Sequence, residues 1–359
     1  MHVDAALSGI EYVHLMRELS ELEGGRINKV YQDDSLFLFS VFTGSSRTNL
    51  LVELGRVMYF TDEKPSFPKT PGGFCMFLRK RLQGGRVNRF FQRGSERVLE
   101  MHVSTKNASY ILVFEMFGKG NLLVCDEAYK IISAFDSVSF ADRSLRGGQV
   151  YVAPDPQPDV TCLSEEEFSS FFGSEQAVKV LASTVGLGGE FAELVCSRAG
   201  VDKTLKKPDT SLLYASLKDL LLDSSAQYSV DRAYPVRVLE DAQDADSFCS
   251  ALSSLLDPLR EKQEREEVLE SREKVTNKYE RIISAQQKQI KGLSASIAVN
   301  QRKGELLYEY YQDLDSLLSQ ARKDRKELSE EAFIQKYESH PLVVSVTGLE
   351  LVVEVGEDE

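Results

Sequence analysis

A long, highly charged segment from Asp257 to Glu331 places the strongest constraint on how this chain of 359 residues can fold. Its apolar residues form one narrow stripe, separated by alternating steps of three and four residues, and this spacing predicts a coiled-coil helix. A stripe this narrow cannot be buried by its own helix, so it must meet another helix of the same chain or a partner. This coil stripe consists of Val275, Tyr279, Ile282, Ile290, Leu293 and Ile297, with the polar Gln286 at one position, and is continued by Leu307, Tyr311, Leu314, Leu318 and Ala321.

The N-terminal part is predicted to be a leading helix followed by many short strands. Apolar residues recur at helical spacing between Ile10 and Leu22, and Gly24-Gly25 is typical of a helix end. Short β-branched and aromatic runs then predict strands, interrupted by one helix over 74–82. The predicted strands are 26–31, 36–42, 49–53, 57–61, 86–92, 97–103, 110–115, 121–125 and 131–135. This order indicates an α+β fold in which a β-sandwich or open barrel carries helical decorations.

The composition changes after Tyr151, and this change predicts a domain boundary. The sequence APDPQPD is a proline-rich linker that cannot lie inside a regular sheet. Helices are then predicted over 165–172, 175–184, 190–199, 209–222 and 244–256, and the segment from Leu342 to Val355 alternates like a strand. The predicted divisions are a β-rich domain at 1–158, a helical domain at 159–256, a coiled-coil and middle helical region at 257–338, and a strand-like segment with an acidic end at 339–359.

One segment of this acidic protein is strongly basic. The net charge of −13 argues against indiscriminate binding of polyanions. Nevertheless, the run FLRKRLQGGRVNRFFQR, from Phe77 to Arg93, contains no acid, and arginine interleaved with phenylalanine is typical of a surface that contacts RNA phosphates. The alternative is a solvated face whose arginines pair with acids elsewhere in the fold. The candidate phosphate contacts are Arg79, Lys80, Arg81, Arg86 and Arg89.

Two glycine motifs are further candidates for phosphate binding. Gly186, Gly188 and Gly189 lie between two predicted helices, where backbone amides at a helix start could approach a phosphate, as in a helix-hairpin-helix element. The alternative is a tight turn that only packs the two helices. In FGKGN, Gly118 and Gly120 flank Lys119 between two strands. A hairpin turn is the default interpretation there, with Lys119 free to contact phosphate.

No recognisable catalytic centre is present in the sequence. The five cysteines lie far apart without a CxxC pair, and there is no P-loop, nucleophile elbow or two-metal acidic cluster. We therefore expect no enzyme activity of its own, no metal and no cofactor. The N-terminal segment resembles neither a signal peptide nor a membrane span, so we expect a soluble cytoplasmic protein without a membrane partner.

Five segments, in this order, resemble the NFACT family, which includes the bacterial RqcH or fibronectin-binding-protein-A-like proteins and the NEMF-like factors. They are LSGIEYVHLMRELSELEGGRINKVYQ, FCMFLRKRLQGGRVNRFFQRGSERVLEM, YILVFEMFGKGNLLVCD, LRGGQVYVAPDPQPD and VGLGGEFAELVCSRAGV. The resemblance implies an NFACT-N domain similar to the N-terminal lobe of formamidopyrimidine-DNA glycosylases, a helix-hairpin-helix domain and a coiled-coil arm. The family's second coil and NFACT-R domain are not in the sequence, and we expect a chain truncated near Glu359.

The resemblance also implies a role in ribosome quality control. Family members usually carry Asp at the position of Glu11 and Asp-Arg at the positions of Glu96 and Arg97, so these three residues are the candidate tRNA contacts. The implied partners are the large ribosomal subunit with a stalled peptidyl-tRNA, rRNA, and a tRNA, commonly alanyl-tRNA, recruited for tailing of the nascent chain without mRNA. Peptide transfer would belong to the ribosome. The coil is expected to pair with its own chain or to dock on the ribosome.

Two other classes of protein stay open as alternatives. A non-catalytic coiled-coil interaction scaffold would bind protein partners and no RNA. A DNA-binding glycosylase-like protein would use an N-terminal proline amine followed by glutamate, whereas this chain begins Met1-His2-Val3 and lacks zinc-finger cysteines.

Overall fold

The computed structural model describes residues 6–44, 46–140, 143–154 and 157–356. The chain divides into two units, Met1–Glu266 and Glu267–Glu359. The predicted boundaries near 158 and 256 are finer than this division and stay predictions. The predicted linker includes residues 155 and 156, and the predicted acidic end includes residues 357–359, all of which lie outside the described residues.

The first unit opens with one helix-and-four-strand pattern that occurs twice. The first copy consists of α1 (Gly9–Leu19), a 3-10 turn (Ser20–Leu22), β1 (Arg26–Asp33), β2 (Leu36–Phe42), β3 (Arg47–Glu53) and β4 (Val57–Thr61). The second consists of α2 (Gly73–Leu82), β5 (Arg86–Gln92), β6 (Val98–Ser104), β7 (Ser109–Glu115) and β8 (Asn121–Cys125), after which β9 (Ile131–Ala134) adds one more strand. The two copies align at GGRINKVYQ and GGRVNRFFQ, so the predicted strands belong to a structural repeat.

Two glycine turns join the repeats. Ile27 N donates to Gly85 O and Val87 N donates to Gly25 O, both at 2.8 Å, so each copy bonds to the glycine turn of the other. A Cβ on Gly25 would lie 2.7 Å from Val41 Cγ1, and a Cβ on Gly85 would lie 2.7 Å from Val103 Cγ1. The matching distances indicate a local two-fold relation, and only glycine fits at either turn.

The strands form a single antiparallel sheet of nine, in the order β4-β3-β2-β1-β5-β6-β7-β8-β9. β1 and β5 pair only at Arg26 and Arg86, and the two halves of the sheet bend towards each other at this joint. Phe39 of β2 and Phe114 of β7 consequently meet in the core with their ring centroids 5.9 Å apart. The predicted sandwich therefore needs one correction, because its two layers are halves of one continuous sheet.

Short helices form a second core beside this sheet. They are α3 (Glu165–Ser170), α4 (Ala177–Lys179), a π-helical turn (Val180–Thr184), α5 (Gly189–Ala199) and α6 (Thr210–Leu222). A small sheet of β10 (Gln227–Tyr228), β11 (Ala233–Tyr234) and β12 (Gln243–Asp244) follows. Ile10 and Val13 of α1 pack into the helical core, whereas Leu15 and Leu19 pack into the sheet core. α1 therefore fixes the helices to the sheet.

Acidic side chains anchor the start of the long helix α7 (Phe248–Glu309), which begins four residues later than predicted. Glu18 accepts hydrogen bonds from Phe248 N at 2.7 Å and Cys249 N at 2.8 Å, where the helix has unpaired amides. Asp257 is buried and accepts 2.7 Å hydrogen bonds from Tyr59 Oη and Thr61 Oγ1. The carboxylate is thus satisfied by hydroxyls of β4, and α7 is fixed to the sheet.

The second unit contains the rest of α7, α8 (Tyr311–Glu327), α9 (Glu330–Tyr337), β13 (Val343–Thr347) and β14 (Glu350–Val353). Its core contains Leu317, Ala321 and Phe333, so the predicted Ala321 is buried, whereas the predicted Leu318 is exposed. The predicted strand at the end is a hairpin, since Gly348 has a φ of 61° and allows the chain to reverse.

The predicted helix of the coil is confirmed, and most of the coil stripe is exposed. Ile290 and Ile297, for example, are 63% and 64% exposed. Pairing of the stripe with another helix stays a prediction. In the described part of the chain, no helix combines the length and apolar character needed to cross a membrane.

We expect protonation of His14 to destabilise the fold in mild acid. Burial lowers the pKa of this imidazole from 6.5 to about 4, and the neighbouring Arg17 adds to the effect. The unfolded chain therefore binds an extra proton between these values, and stability falls as the pH drops below 6.5. Urea unfolding at pH 7.5 and pH 5 should differ by about 2 kcal/mol through this group.

The His14→Gln variant should lose this part of the pH dependence, whereas His340→Gln in the second unit should keep it. An unchanged pH dependence in His14→Gln would contradict the assignment.

Candidate nucleic-acid interface

Residues from distant parts of the sequence line one open cleft of about 340 Å³. It lies between the start of α1, the turn before β6 and the loop before α5. Its lining residues are Ala6, Leu7, Ser8, Gly9, Ser95, Glu96, Arg97, Gln157, Ala182, Ser183, Gly186 and Gly188. The fold thus brings the predicted Glu96 and Arg97 next to two of the predicted loop glycines.

Close backbone contacts fix the walls of this cleft. A Cβ on Gly9 would overlap the carbonyl of Ser95, so α1 can approach this turn only because Gly9 has no side chain. The side-chain amide of Gln92 donates to Gly9 O at 2.8 Å and to Glu96 O at 2.9 Å. Gln92 therefore ties both walls together, and the cleft is formed before any ligand arrives.

Glu96 and Arg97 differ in whether their side chains already have hydrogen-bond partners within the protein. Glu96 accepts a 3.2 Å hydrogen bond from Gln157 N. The half-buried guanidinium of Arg97 has no hydrogen-bond acceptor and no carboxylate partner among the described residues. A partly desolvated arginine without an anion is prepared to bind one, and a phosphate or carboxylate is the group that its planar fork fits.

Glu11 lies inside the fold and is only 1% exposed. One of its carboxylate oxygens accepts 2.7 Å hydrogen bonds from Ser8 N and Ser8 Oγ in a capping box at the start of α1. The other oxygen lies 3.3 Å from Arg232 Nη2. Burial raises the pKa of Glu11, and Arg232 opposes this rise. In this position Glu11 shapes the cleft wall and does not line the cleft.

Arg232 joins Glu11 to the start of α5 and was not among the predicted site residues. Its Nη2 also lies 3.1 Å from Glu190 Oε2 in the first turn of α5. The cation thus neutralises an acid that would otherwise oppose an anion at this helix start. No local motif marks Arg232, because its two partners are far away in the sequence.

The glycine loop leads directly into α5. Gly186 and Gly188 have φ values of 82° and 78°, which L side chains rarely adopt. Leu187 N and Gly188 N donate to carbonyls of the preceding turn, whereas the first amides of α5 have no acceptor within their helix. The loop therefore supplies both a close backbone approach and unpaired donors beside the Arg97 cleft.

The side chains of two of the five candidate phosphate contacts in the basic run donate hydrogen bonds within the described part of the fold, and the other three do not. Arg79 donates from Nε to Val30 O at 2.6 Å, and Arg81 donates from Nη1 to Tyr110 Oη at 3.2 Å. The side chains of Lys80, Arg86 and Arg89 are exposed. None of these five lines the Arg97 cleft.

The FGKGN motif is a hairpin turn between β7 and β8. Gly118 and Gly120 have φ values of 59° and 71°, and Gly120 N donates to Phe117 O. A Cβ on Gly55 would lie 2.9 Å from Gly120 N, so this turn packs closely on the turn before β4. Lys119 is exposed outside the cleft, and its contact with phosphate stays a prediction.

Residues 8–348 match the family model described as NFACT N-terminal and middle domains. The chain belongs to the NFACT family. Among curated relatives, the archaeal Rqc2 homolog aRqcH of Methanocaldococcus jannaschii is 24% identical over 94% of this chain and 55% of that protein. The Rqc2 homolog RqcH of Streptococcus suis is 27% identical over 87% of this chain and 59% of that protein. This NFACT chain therefore spans a little over half the length of these relatives.

Two solved structures share the NFACT fold of this chain. The N-terminal part of the fibronectin/fibrinogen-binding protein from Streptococcus suis has a TM-score of 0.61 at 24% identity, over 72% of this chain and 100% of that one. The fibrinogen binding protein from Staphylococcus aureus has a TM-score of 0.58 at 20% identity, over 70% of this chain and 97% of that one. At these identities the likeness concerns the fold alone.

The two neighbouring glycines of the NFACT loop should respond differently to substitution. Gly188 has φ 78° and ψ 167°, a region that essentially only glycine occupies, whereas Gly189 is the first helical residue of α5. A Cβ would meet no atom within 4 Å at either position, so steric crowding does not distinguish them. We expect Gly188→Ala to lower the free energy of unfolding by about 1–3 kcal/mol, measured by urea denaturation.

Gly189→Ala is the matched control and should leave stability unchanged or slightly raised, because alanine favours a helix. Equal losses in both variants would contradict the strained geometry assigned to Gly188.

Proposed function

We propose that this chain acts in ribosome quality control as the RNA-binding N-terminal part of a factor that engages the large ribosomal subunit with a stalled peptidyl-tRNA. In this proposal it recruits tRNA, so that the nascent chain is extended at its C-terminus without mRNA. Membership of the NFACT family supports the proposal, together with relatives named Rqc2 homolog and ribosome quality control complex subunit 2.

The observation that carries the RNA-binding role is the unpaired Arg97 guanidinium beside the glycine loop. An RNA phosphate in the cleft could accept hydrogen bonds from this guanidinium and from the first amides of α5. Two independent groups of donors would then converge on one anion. We further propose that the glycine loop and its flanking helices act as a helix-hairpin-helix element.

Glu11 enters this proposal as a positioning residue. Its carboxylate holds Arg232, and Arg232 holds Glu190 at the start of α5. The acid therefore acts on RNA through the position of the glycine loop. Since the groups in the cleft bind and orient, we propose that peptide transfer belongs to the ribosome.

Replacing Arg97 with alanine should weaken tRNA association about tenfold or more, because a hydrogen-bonded ion pair to phosphate contributes about 1.5–3 kcal/mol. The measurement is sequencing and quantification of the RNA that co-purifies with each variant. Lys207→Ala removes an exposed cation outside the cleft and is the control.

Unchanged tRNA recovery with folded Arg97→Ala would refute the site assignment. An interaction scaffold is the alternative function. It predicts RNA-free protein that carries only protein partners, whereas enrichment of tRNA and large-subunit rRNA supports the quality-control role.

We propose that the coil stripe docks on another helix of its own chain or on the ribosome, because exposed apolar side chains in a row are costly in water. The chain should then sediment as a monomer over a wide range of concentrations. A concentration-dependent dimer that is lost when Ile290 and Ile297 are replaced by glutamate would indicate self-association, and the exposed Lys291→Glu is the matched control on the same helix.

A further inference from the structure

The two repeats present the same set of polar and aromatic side chains on their first strands. On β1 these are Arg26, Asn28, Lys29 and Tyr31, and on β5 they are Arg86, Asn88, Arg89 and Phe91. The cations and asparagines are exposed, and the aromatic residues are half-buried. The residues between them, Ile27, Val30, Val87 and Phe90, are buried in the sheet core. We call the eight outward residues the duplicated face.

A β-bulge in each strand produces this face. The register shifts between Ile27 and Lys29 in β1, and between Val87 and Arg89 in β5. Each bulge adds a residue, so that an asparagine and a cation follow each other on the exposed side. Lys29 Nζ then lies 5.1 Å from the ring centroid of Tyr31. The guanidinium carbon of Arg89 lies 4.8 Å from the ring centroid of Phe91. The aromatic rings therefore orient both cations in the same way.

The charge on this face is not compensated. Within the described ranges, none of its four cations forms an ion pair with a carboxylate, although the protein as a whole is acidic. The nearby carboxylate of Glu23 is bound to Phe90 N at 2.9 Å. Lys64 and Arg79 add positive charge beside Tyr31, at 4.1 Å and 5.4 Å from its ring centroid.

Arg26 and Arg86 are direct cross-strand partners at the joint of the repeats. Two like charges opposite each other destabilise a sheet, and a structural role would be served equally well by one charged and one neutral residue. Their placement is explained if an anion lies over the joint and neutralises both. One of them, Arg26, donates to Gly84 O at 3.2 Å and still has further donors to offer.

The local two-fold relation between the repeats indicates which kind of anionic ligand fits the duplicated face. Lys29 and Arg89 lie on opposite sides of the joint. Each β-bulge takes up one residue, so two register steps of about 3.3 Å on each side place them roughly 13 Å apart along the strands. A double helix carries phosphates on two strands of opposite direction, which are themselves related by two-fold axes. In RNA these strands border a wide, shallow minor groove that proteins recognise by shape. A single strand has no such symmetry.

We propose that the duplicated face binds double-helical RNA, with one strand contacting the Lys29 side and the other strand contacting the Arg89 side. The inference rests on the proposed function for the choice of RNA, and it adds a second contact surface that reads duplex geometry. Arg26 and Arg86 lie over the middle of the groove.

The test compares an RNA duplex of about 16 base pairs with one of its single strands, using fluorescence anisotropy with the whole chain. We expect tighter binding of the duplex. Lys29→Gln and Arg89→Gln should each weaken duplex binding by a similar factor of about 5–10, and each should lower the slope of log affinity against log salt by about 1. The double variant should lower the slope by about 2.

Lys291→Gln, which removes an exposed cation in the second unit, is the matched control and should change neither quantity. All substitutions are at exposed side chains, and thermal melting checks that each variant is folded. The inference is overturned if the chain binds duplex and single-stranded RNA with equal affinity. It is also overturned if only one of the two variants, Lys29→Gln on β1 or Arg89→Gln on β5, weakens duplex binding.

Failure of this inference can be distinguished from failure of the proposed function. If the protein binds the duplex through this face but no tRNA co-purifies with it, only the proposed function is contradicted. If tRNA co-purifies in a way that depends on Arg97, but the protein binds duplex and single-stranded RNA with equal affinity, only the further inference is contradicted.

Discussion

The joint between the two repeats is the contact on which the rest of the first unit depends. Reciprocal hydrogen bonds link each strand to the glycine turn of the other repeat, and Gly25 and Gly85 make the close approach possible. The joint keeps nine strands in one sheet and still allows its halves to bend over a common core. It also fixes α1, whose start forms one wall of the Arg97 cleft.

Sequence periodicity predicted the individual elements of this fold well, because alternation and glycine ends are local signals. It did not reveal that GGRINKVYQ and GGRVNRFFQ are two copies of one unit, although both lie in segments that resemble the NFACT family. A comparison of the chain with itself would have found the repeat. The single continuous sheet was also missed, since a joint of one residue pair leaves no periodic signal.

The candidate site was predictable only in part. Arg97 and the glycine loop could be identified from motifs, but their common cleft depends on Gly9 and Gln92, which have no distinguishing pattern in the sequence. Arg232 was invisible for the same reason, because its value comes from two acids that only folding brings near. Burial of Glu11 changes the role proposed for an acid at that position, from a direct RNA contact to a residue that positions the start of α5 through Arg232.

The overall acidity of the chain is compatible with RNA binding once distance is considered. At physiological salt the Debye length is about 8 Å, so acids farther away than this hardly affect a phosphate on the surface. Acids such as Glu18 and Asp257 are moreover occupied in anchoring α7. The electrostatic potential at a bound phosphate is therefore set mainly by nearby cations that form no ion pair with a carboxylate of the described residues, and Arg97 and the duplicated face provide such cations. The remaining negative charge disfavours polyanions elsewhere on the surface, and this contrast supports the proposed selectivity for shaped RNA.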